Sequence, residues 1–271
     1  MNILDEIVAY KRKEINERKE LYPVKLLEKS VYFSSPTVSL KKYLSREDKC
    51  GIIAEFKRQS PSKGNINLYA DVEEISIGYM RAGASALSVL TDTHFFGGSN
   101  DDLKTARKFN FCPILRKEFI IDEYQLYEAR SIGADAILLI AEVLSEREVN
   151  YLSGIAKALE MEVLMEVHAE EQLHKATDTV DIIGVNNRNL ETFQVDLQTS
   201  YDMLHHIPVG MFKISESGIS NPETVYELKQ AGYNGFLIGE YFMQSAHPGR
   251  KCARFIDELK QIVQPNPVIH Q

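Results

Sequence analysis

Short apolar runs recur along the chain, each preceded by a helix-like spacing of apolar residues and then a glycine. The stretches MRAGASALSVL around residue 83, RSIGADAILLI around 133 and KQAGYNGFLIG around 232 repeat this junction. Gly83, Gly133 and Gly232 stand where a helix stops, because glycine adopts the left-handed C-terminal conformation at least cost, and a strand starts a few residues later. The junctions lie 50 and 99 residues apart. Those intervals fit two and four copies of a unit about 25 residues long, the size of a strand, a helix and two loops.

Helix starts follow the same rhythm. Asp71 with Glu74, Asp122 with Gln125, Ser145 with Glu148 and Ser220 with Glu223 have capping-box spacing or its Asp variant. Pro222 falls in a first helical turn, where its missing N–H has no intrahelical partner to lose. Val149, Leu152, Ala156 and Leu159 form one apolar stripe, as do Val225 and Leu228. Between these helices the runs 51–56, 86–90, 112–116, 136–140, 162–167, 182–185, 212–215 and 236–239 read as eight strands. They are aliphatic with little polar alternation, the pattern of strands covered on both faces in a parallel sheet. Eight such strands alternating with helices predict an α/β fold, a (β/α)8 TIM barrel. An open doubly wound sheet is the alternative, weakened because no G-x-G-x-x-G turn follows the first strand.

Residues 1–48 precede the first strand. Ile3, Leu4, Ile7 and Val8 mark one face of an amphipathic helix, and Val24, Leu26 and Leu27 form a second apolar stretch after a break at Pro23. This is too little for a core of its own, so it is expected to pack on the barrel as an N-terminal helical extension of one 1–271 domain. The first twenty residues lack the apolar core of a signal peptide, and no run reaches the roughly 18 apolar residues that span a bilayer. Cys50, Cys112 and Cys252 share no metal-ligand spacing and read as reduced thiols, with Cys112 in the core. A cytoplasmic protein is expected. With 31 basic and 39 acidic residues, a formal net charge of −8, the chain is not expected to bind nucleic acid or a membrane. A local cationic pocket stays open. A monomer and a weak homodimer are equally compatible with the sequence.

In a TIM barrel the chemistry sits at the C-terminal ends of the strands. Here those ends carry Glu55, Lys57 and Ser60; Arg116, Lys117 and Glu118; Glu166; Asn186, Asn187 and Arg188; Ser215, Glu216, Ser217 and Gly218; and Gly239 with Glu240. Alternation along a strand sends Glu55 and Lys57 to one side, and Asn186 and Arg188 likewise. One isolated lysine would read as a rim ion pair. So many polar groups at matching ends of different strands argue for a site that binds an anion. The loops after strands seven and eight, with Ser217-Gly218 and Gly239 before helical stretches, have the makings of the fold's usual phosphate cradle, although two tight turns would need the same glycines. His168 lies in no metal-binding motif, and His205-His206 read as solvated. His94, Phe95 and Phe96 either cover an aromatic ligand or pack their own loop down.

With these residues in view, the chain resembles indole-3-glycerol-phosphate synthase. The stretches that carry the resemblance are IAEFKRQSPSKG (53–64), SVLTDTHFFGGS (88–99), LRKEFIID (115–122), LMEVH (164–168), IGVNNRNL (183–190), ISESGI (214–219) and FLIGE (236–240), together with ILDEIVAYKR at the N-terminus. They fall in order over nearly all the strand ends. Tyr241 and Phe242 follow Gly239-Glu240 where smaller residues are common, and Asn187 stands at a variable position.

The resemblance implies ring closure of 1-(2-carboxyphenylamino)-1-deoxyribulose 5-phosphate to an indole, with loss of carbon dioxide and water and with no cofactor or metal. It makes Lys117 the acid at the ketone oxygen, and has Lys57 hold the departing carboxylate. Glu166 is the base of the dehydration, with Lys57 or Lys117 its acid. Glu55 pairs with a lysine, and Asn186 and Arg188 orient the substrate. Ser60, Ser217, Gly218, Gly239 and Glu240 would contact the phosphate, and Phe96, Phe119 and Leu190 would wall the aromatic ring. The competing readings are a phosphoribosyl isomerase, which leaves the E-x-K-x-x-S-P-S segment unexplained, and a silent barrel that binds a phosphorylated ligand. The second is disfavoured because both lysines and both glutamates are present.

Overall fold

In the computed structural model, which describes residues 3–190 and 192–263, three helical pieces come first: α1 (Ile3–Leu21), α2 (Val24–Leu27) and α3 (Leu40–Leu44). The chain then enters β1 (Ile52–Phe56), β2 (Ala86–Leu90), β3 (Ile114–Lys117), β4 (Ala136–Ile140), β5 (Glu162–Val167), β6 (Ile182–Asn186), β7 (Phe212–Glu216) and β8 (Gly235–Ile238). Each strand is parallel to the next, and β8 returns to pair with β1, closing an eight-stranded barrel. The helices outside it are α4 (Val72–Ala82), α5 (Asn100–Phe109), α6 (Tyr124–Ser131), α7 (Glu146–Ala158), α8 (Gln198–Met203), α9 (Pro222–Ala231), the short α10 (Glu240–Met243) and α11 (Pro248–Val263). The eight-strand α/β expectation is met, with strand ends shifted by one or two residues. Between β5 and β6 only a 3-10 turn, Glu170–Lys175, stands in for a helix. The tail 264–271 lies outside the described residues.

The expected junctions hold in detail. Gly83, Gly133 and Gly232 have φ of 99°, 90° and 117°. Ser145 and Glu148 form a complete capping box, and Asp71 accepts from the Glu74 N–H at 2.9 Å. Two helix starts differ from expectation. Asn221, not Ser220, caps α9 by accepting from the Thr224 N–H, because Pro222 takes the first helical position and the cap must immediately precede it. Asp122 accepts from the Tyr124 N–H, one residue nearer than expected, while the Gln125 side chain accepts from the N–H groups of Ile121 and Asp122.

Two cores follow from strand alternation. Residues such as Ile52, Ala54, Leu87 and Ile137 face outward under the helices. Ile53, Ala86, Leu115, Leu138, Leu164, Ile182, Ile214 and Leu237 face inward and fill the barrel, which is a packed core and not a pore. Arg116, Glu118 and Asn187 belong to the outward set. Position at strand ends groups them with the mouth, but alternation turns their side chains outward: Arg116 is 2% exposed and bonds Thr91, Asn100, the Gln125 carbonyl and Glu128, while Glu118 still borders the mouth cavity but turns its carboxylate to Lys11 and Thr91.

The extension closes both ends of this barrel. Ile3, Leu4 and Ile7 of α1 stand over the C-terminal mouth. The chain then descends past α6, held by the Arg18–Glu128 ion pair at 2.5 Å and by Tyr124 Oη, which donates to the carbonyls of Arg18 and Tyr22. At the bottom, Leu40 and Leu44 of α3 join the inner core. Glu162, at the start of β5, receives the Ser39 hydroxyl and the Lys41 N–H and fixes α3 there. The apolar stretch Val24, Leu26 and Leu27 buries none of its residues, and Leu26 is 49% exposed. The plug lies further along, at Leu40 and Leu44, because α2 packs against α6 on the outside of the barrel.

Truncating the plug with Leu40→Ala is expected to remove about 2–5 kcal/mol of stability, read from urea denaturation. A second expectation concerns acid. Burial alone would raise the pKa of Glu118 and Glu128, but the facing cations (Lys11 and Arg116, and Arg116 and Arg18) outweigh it and lower both below the ordinary 4.5. The stability these carboxylates supply is therefore complete above pH 4.5 and is lost as pH falls through their folded values. The urea midpoint should start to fall below pH 4.5, with α1 becoming open to protease; a flat midpoint down to pH 3 would contradict this.

Candidate active site

At the C-terminal mouth the inward positions change from aliphatic to charged one step along each strand. Ile53 is followed on the same face by Glu55 and Lys57, Leu115 by Lys117, Leu164 by Glu166, and Ile214 by Glu216. Strand register brings these side chains together: Asn186 pairs across the sheet with Glu216, and Ile140 with Glu166.

Lys117 is the centre of the group. Its Nζ lies 2.7 Å from Glu166 Oε2 and 2.5 Å from Glu216 Oε2. Burial by itself would lower the Lys117 pKa, but Glu166, Glu216 and Glu55 outweigh it and raise the value, so the side chain is an ammonium at neutral pH. Glu166 also accepts from Asn186 Nδ2 at 3.0 Å. Although burial opposes it, Lys117 holds the Glu166 pKa well below its ordinary value, with help from His168 and the Asn186 bond. Glu216 moves the other way. Burial raises its pKa, the like charges of Glu166 and Glu55 add to the rise, and Lys117 only partly offsets them. Its second oxygen, Oε1, is buried without a hydrogen-bond partner.

Two glycines make room for these carboxylates. A Cβ on Gly184 of β6 would lie 2.2 Å from Glu216 Oε1, and one on Gly239 would lie 2.6 Å from Glu55 Oε1. Glu55 in turn pairs with Lys57 at 3.1 Å and accepts from Ser88 Oγ at 3.1 Å. His168 Nε2 is 3.5 Å from Glu166 Oε1, and neither ring nitrogen has a hydrogen-bond partner. Burial, against the pull of Glu166 and Glu142, lowers its pKa, which leaves the imidazole neutral at pH 7. Among the described residues no three His, Cys, Asp or Glu side chains are grouped to hold a metal ion.

The mouth divides into two cavities that share Glu55, Lys57, Arg188, Ser217 and Glu240 in their walls. One is largely apolar. Phe96 and Phe119, with ring centroids 5.8 Å apart, form its side with Leu190, and Ile3, Leu4 and Ile7 of α1 cover it. Ser60 sits at its edge. The other cavity, of about 520 Å³, has a mixed wall: Ser217, Gly218, Gly239 and Glu240 after β7 and β8, with Lys63 beside them, face Phe193 and Val195. Ser217 has φ of 69°, a left-handed value uncommon outside glycine and typical of residues held in place at functional turns. The Glu240 carboxylate takes the cations on this side, Arg188 at 3.0 Å and Lys63 at 3.6 Å.

The fourteen residues to which the family resemblance gives a role all stand at this mouth. The residues of the loop after β2 divide between the loop's own packing and the cavity wall. His94 stacks on Tyr10 at 4.4 Å and Phe95 packs edge-on against both, pinning the loop to α1, while Phe96 turns into the apolar cavity. His206 is exposed and pairs with Glu170. Two features lay beyond the sequence reading. Glu216 has a strand-end position but no role in the sequence pattern, although its two-residue offset from inward Ile214 marks it as inward. The cover from α1 had no local signal, because Ile3, Leu4 and Ile7 read only as one helix face.

Comparison with known proteins agrees with this geometry. The family model described as "Indole-3-glycerol phosphate synthase" matches residues 4–255. The indole-3-glycerol phosphate synthase of Bacteroides thetaiotaomicron is 47% identical over 259 residues, covering 96% of this chain and 99% of that protein. That of Polaromonas naphthalenivorans is 41% identical over 261 residues, covering 95% and 99%. Among solved structures, a mutant tryptophan synthase alpha-subunit of Pyrococcus furiosus superposes with a TM-score of 0.60 at 16% identity, over 79% of this chain and 98% of that one. The thiamine phosphate pyrophosphorylase of the same organism gives 0.59 at 14% identity, over 83% and 100%. At those identities the structures share the barrel alone. The family match along nearly the whole chain carries more: this chain belongs to the indole-3-glycerol phosphate synthase family.

Proposed function

We propose that the chain closes 1-(2-carboxyphenylamino)-1-deoxyribulose 5-phosphate to indole-3-glycerol phosphate, releasing carbon dioxide and water, as a lyase of cytoplasmic tryptophan biosynthesis. The observation that carries this reading is Lys117, an ammonium held between Glu166 and Glu216 in the wall of the apolar cavity, which adjoins the cavity of the β7 and β8 loops along Lys57, Arg188 and Ser217. A substrate with an aromatic ring at one end and a phosphate at the other fits that division. Phe96, Phe119 and Leu190 would receive the ring. Ser217, Gly218 and Gly239, with Ser60 and the Glu240 backbone, would receive the phosphate, and Arg188 would help once Glu240 releases it.

The chemistry then follows from charge. The ring carbon that bears the carboxylate attacks the ketone carbon, and negative charge develops on the ketone oxygen. Lys117 meets it with a charge-assisted hydrogen bond in a low-dielectric mouth and transfers a proton. Lys57, steadied by Glu55, aligns the carboxylate, which leaves as carbon dioxide while its bonding pair restores the aromatic ring. In the last step Glu166 removes a proton from the methylene carbon beside the ring nitrogen. The hydroxyl made in the first step leaves as water with a proton from Lys57, or from Lys117 once a solvent proton has restored its ammonium. Asn186 orients Glu166 for this; the ammonium of Lys117 keeps Glu166 ionised, and its basicity rises when Lys117 gives up its proton to the substrate oxygen.

Purified protein mixed with this substrate in the presence of a chelator should produce indole absorbance and fluorescence; the chain contains no tryptophan, so its own emission interferes little. Lys117→Ala and Glu166→Gln should each lower kcat by roughly 10²–10⁴-fold with the fold intact. Near-normal turnover in both would sink the assignment. Gly184→Ala tests the geometry from behind. Its Cβ would press on Glu216 Oε1, 2.2 Å away, and push that carboxylate off Lys117. A kcat loss of about tenfold or more, matched by Glu216→Gln, is expected; an unchanged kcat would show that Glu216 does not matter to turnover.

A further inference from the structure

Lys11 is 2% exposed, and the reaction as drawn makes no use of it. It lies on α1 one turn beyond Ile7 and two beyond Ile3, so the three share one helix face, and that face covers the mouth. Its Nζ lies 2.9 Å from Asp92 Oδ2, 3.1 Å from Glu118 Oε1 and 2.6 Å from Glu14 Oε2. A buried ammonium with so many ionic partners is costly to assemble, and an apolar side chain would serve mere packing as well.

What the two distant carboxylates hold is informative. Asp92 follows β2, and its other oxygen, Oδ1, accepts from the N–H groups of Phe95 and Phe96 at 2.6 and 3.1 Å. Glu118 follows β3. Its Oε1, the oxygen that faces Lys11, accepts from the Phe119 N–H at 2.9 Å, and its Oε2 is held by Thr91 Oγ1 at 2.7 Å. Phe96 and Phe119 are the aromatic pair of the apolar cavity. One cation thus ties together the helix that covers this cavity and the two backbone turns that aim its aromatic walls.

The structure assigns Lys11 as a positioning residue for the aromatic half of the site: through Asp92 and Glu118 it sets the spacing of Phe96 and Phe119, and through its own helix it sets the cover of Ile3 and Ile7. The inference rests on the proposed function only in taking the ring of the substrate to enter this cavity. It divides the binding machinery in two. Loss of Lys11 should loosen the grip on an aromatic ring and leave the phosphate cavity, built on the far side by β7 and β8, as it was.

The test uses the full chain with two probes, 2-aminobenzoate for the ring cavity and inorganic phosphate for the other. Lys11→Met is expected to weaken 2-aminobenzoate by about tenfold or more while phosphate affinity stays within about twofold. The Lys11→Met/Glu118→Gln double variant removes one charge of each sign and leaves no new excess charge, so it reports if the single variant does not fold. Lys11→Arg should restore ring binding to within about threefold, since the neighbouring cavity of about 240 Å³ under α1 has space for a guanidinium. In turnover, KM should rise more than kcat falls.

Amide exchange supplies a readout that needs no ligand. The N–H groups of Phe95, Phe96 and Phe119 should exchange about tenfold faster in Lys11→Met, with those of β5 to β7 unchanged. Unaltered exchange at these amides in a folded variant overturns the inference. So does equal weakening of both probes, which is what general destabilisation would give. A wild-type protein that ignores 2-aminobenzoate, with amides that still respond to the substitution, would instead overturn the proposed function and leave Lys11 in its positioning role.

Discussion

Closure of the parallel sheet imposes one rule on every strand: alternate side chains point inward or outward, with no third choice. Inward residues must fill the barrel near its bottom and middle, which Ile53, Leu115, Leu164, Ile182, Ile214 and Leu237 do. The next inward step lies at the mouth, where the chain no longer needs to exclude water, and there Glu55, Lys117, Glu166, Asn186, Glu216 and Gly239 stand. The site is therefore the last layer of the core, converted to charge. Its side chains inherit the rigidity of the strands that carry them.

Such a layer brings a charge problem. Three carboxylates, Glu55, Glu166 and Glu216, are buried within reach of Lys57 and Lys117. The two lysines cannot satisfy all three equally, and the imbalance falls on Glu216, whose pKa rises while that of Glu166 falls. Glycines at 184 and 239 are what allow the carboxylates to sit so close. The spread of proton affinities among neighbouring groups is what an acid–base reaction at neutral pH requires.

The N-terminal extension answers a second need. A barrel is open at both ends, and this chain uses one continuous segment to plug the bottom with Leu40 and Leu44 and to roof the top with Ile3, Leu4 and Ile7. Between them the segment is tied down by ions rather than by bulk: Arg18 to Glu128, and Lys11 to Asp92 and Glu118. Arg116, on the outer face of β3, and Glu118, just after it, take part in that fastening, one residue either side of Lys117. The segment Arg116-Lys117-Glu118 thereby sends Lys117 into the mouth and fastens the extension from the outside.

Much of this was legible from order along the chain. Glycine stops, capping residues and aliphatic runs are local signals, so the eight strands and the barrel could be read before any contact was known. Strand ends and short motifs likewise located Lys57, Lys117, Glu166 and Asn186, because in a barrel the end of a strand is already a place in space. The role of Glu216 was within reach, since period-two counting from Ile214 turns it inward. The same counting would have turned Arg116 and Glu118 outward, where proximity in sequence had grouped them with the mouth. Other features depend on distant segments meeting. Leu40 and Leu44 became the plug, while Leu26 stayed exposed, because only the path of the chain around the barrel decides which apolar pair reaches the bottom. Lys11 acquired its partners from residues 92 and 118, and no pattern within α1 could announce them. Sequence determined which elements form and which face each residue takes, for those depend on neighbours a few residues away; tertiary structure alone decided which charges share a buried space, because that depends on closure of the barrel and the packing of the extension across it.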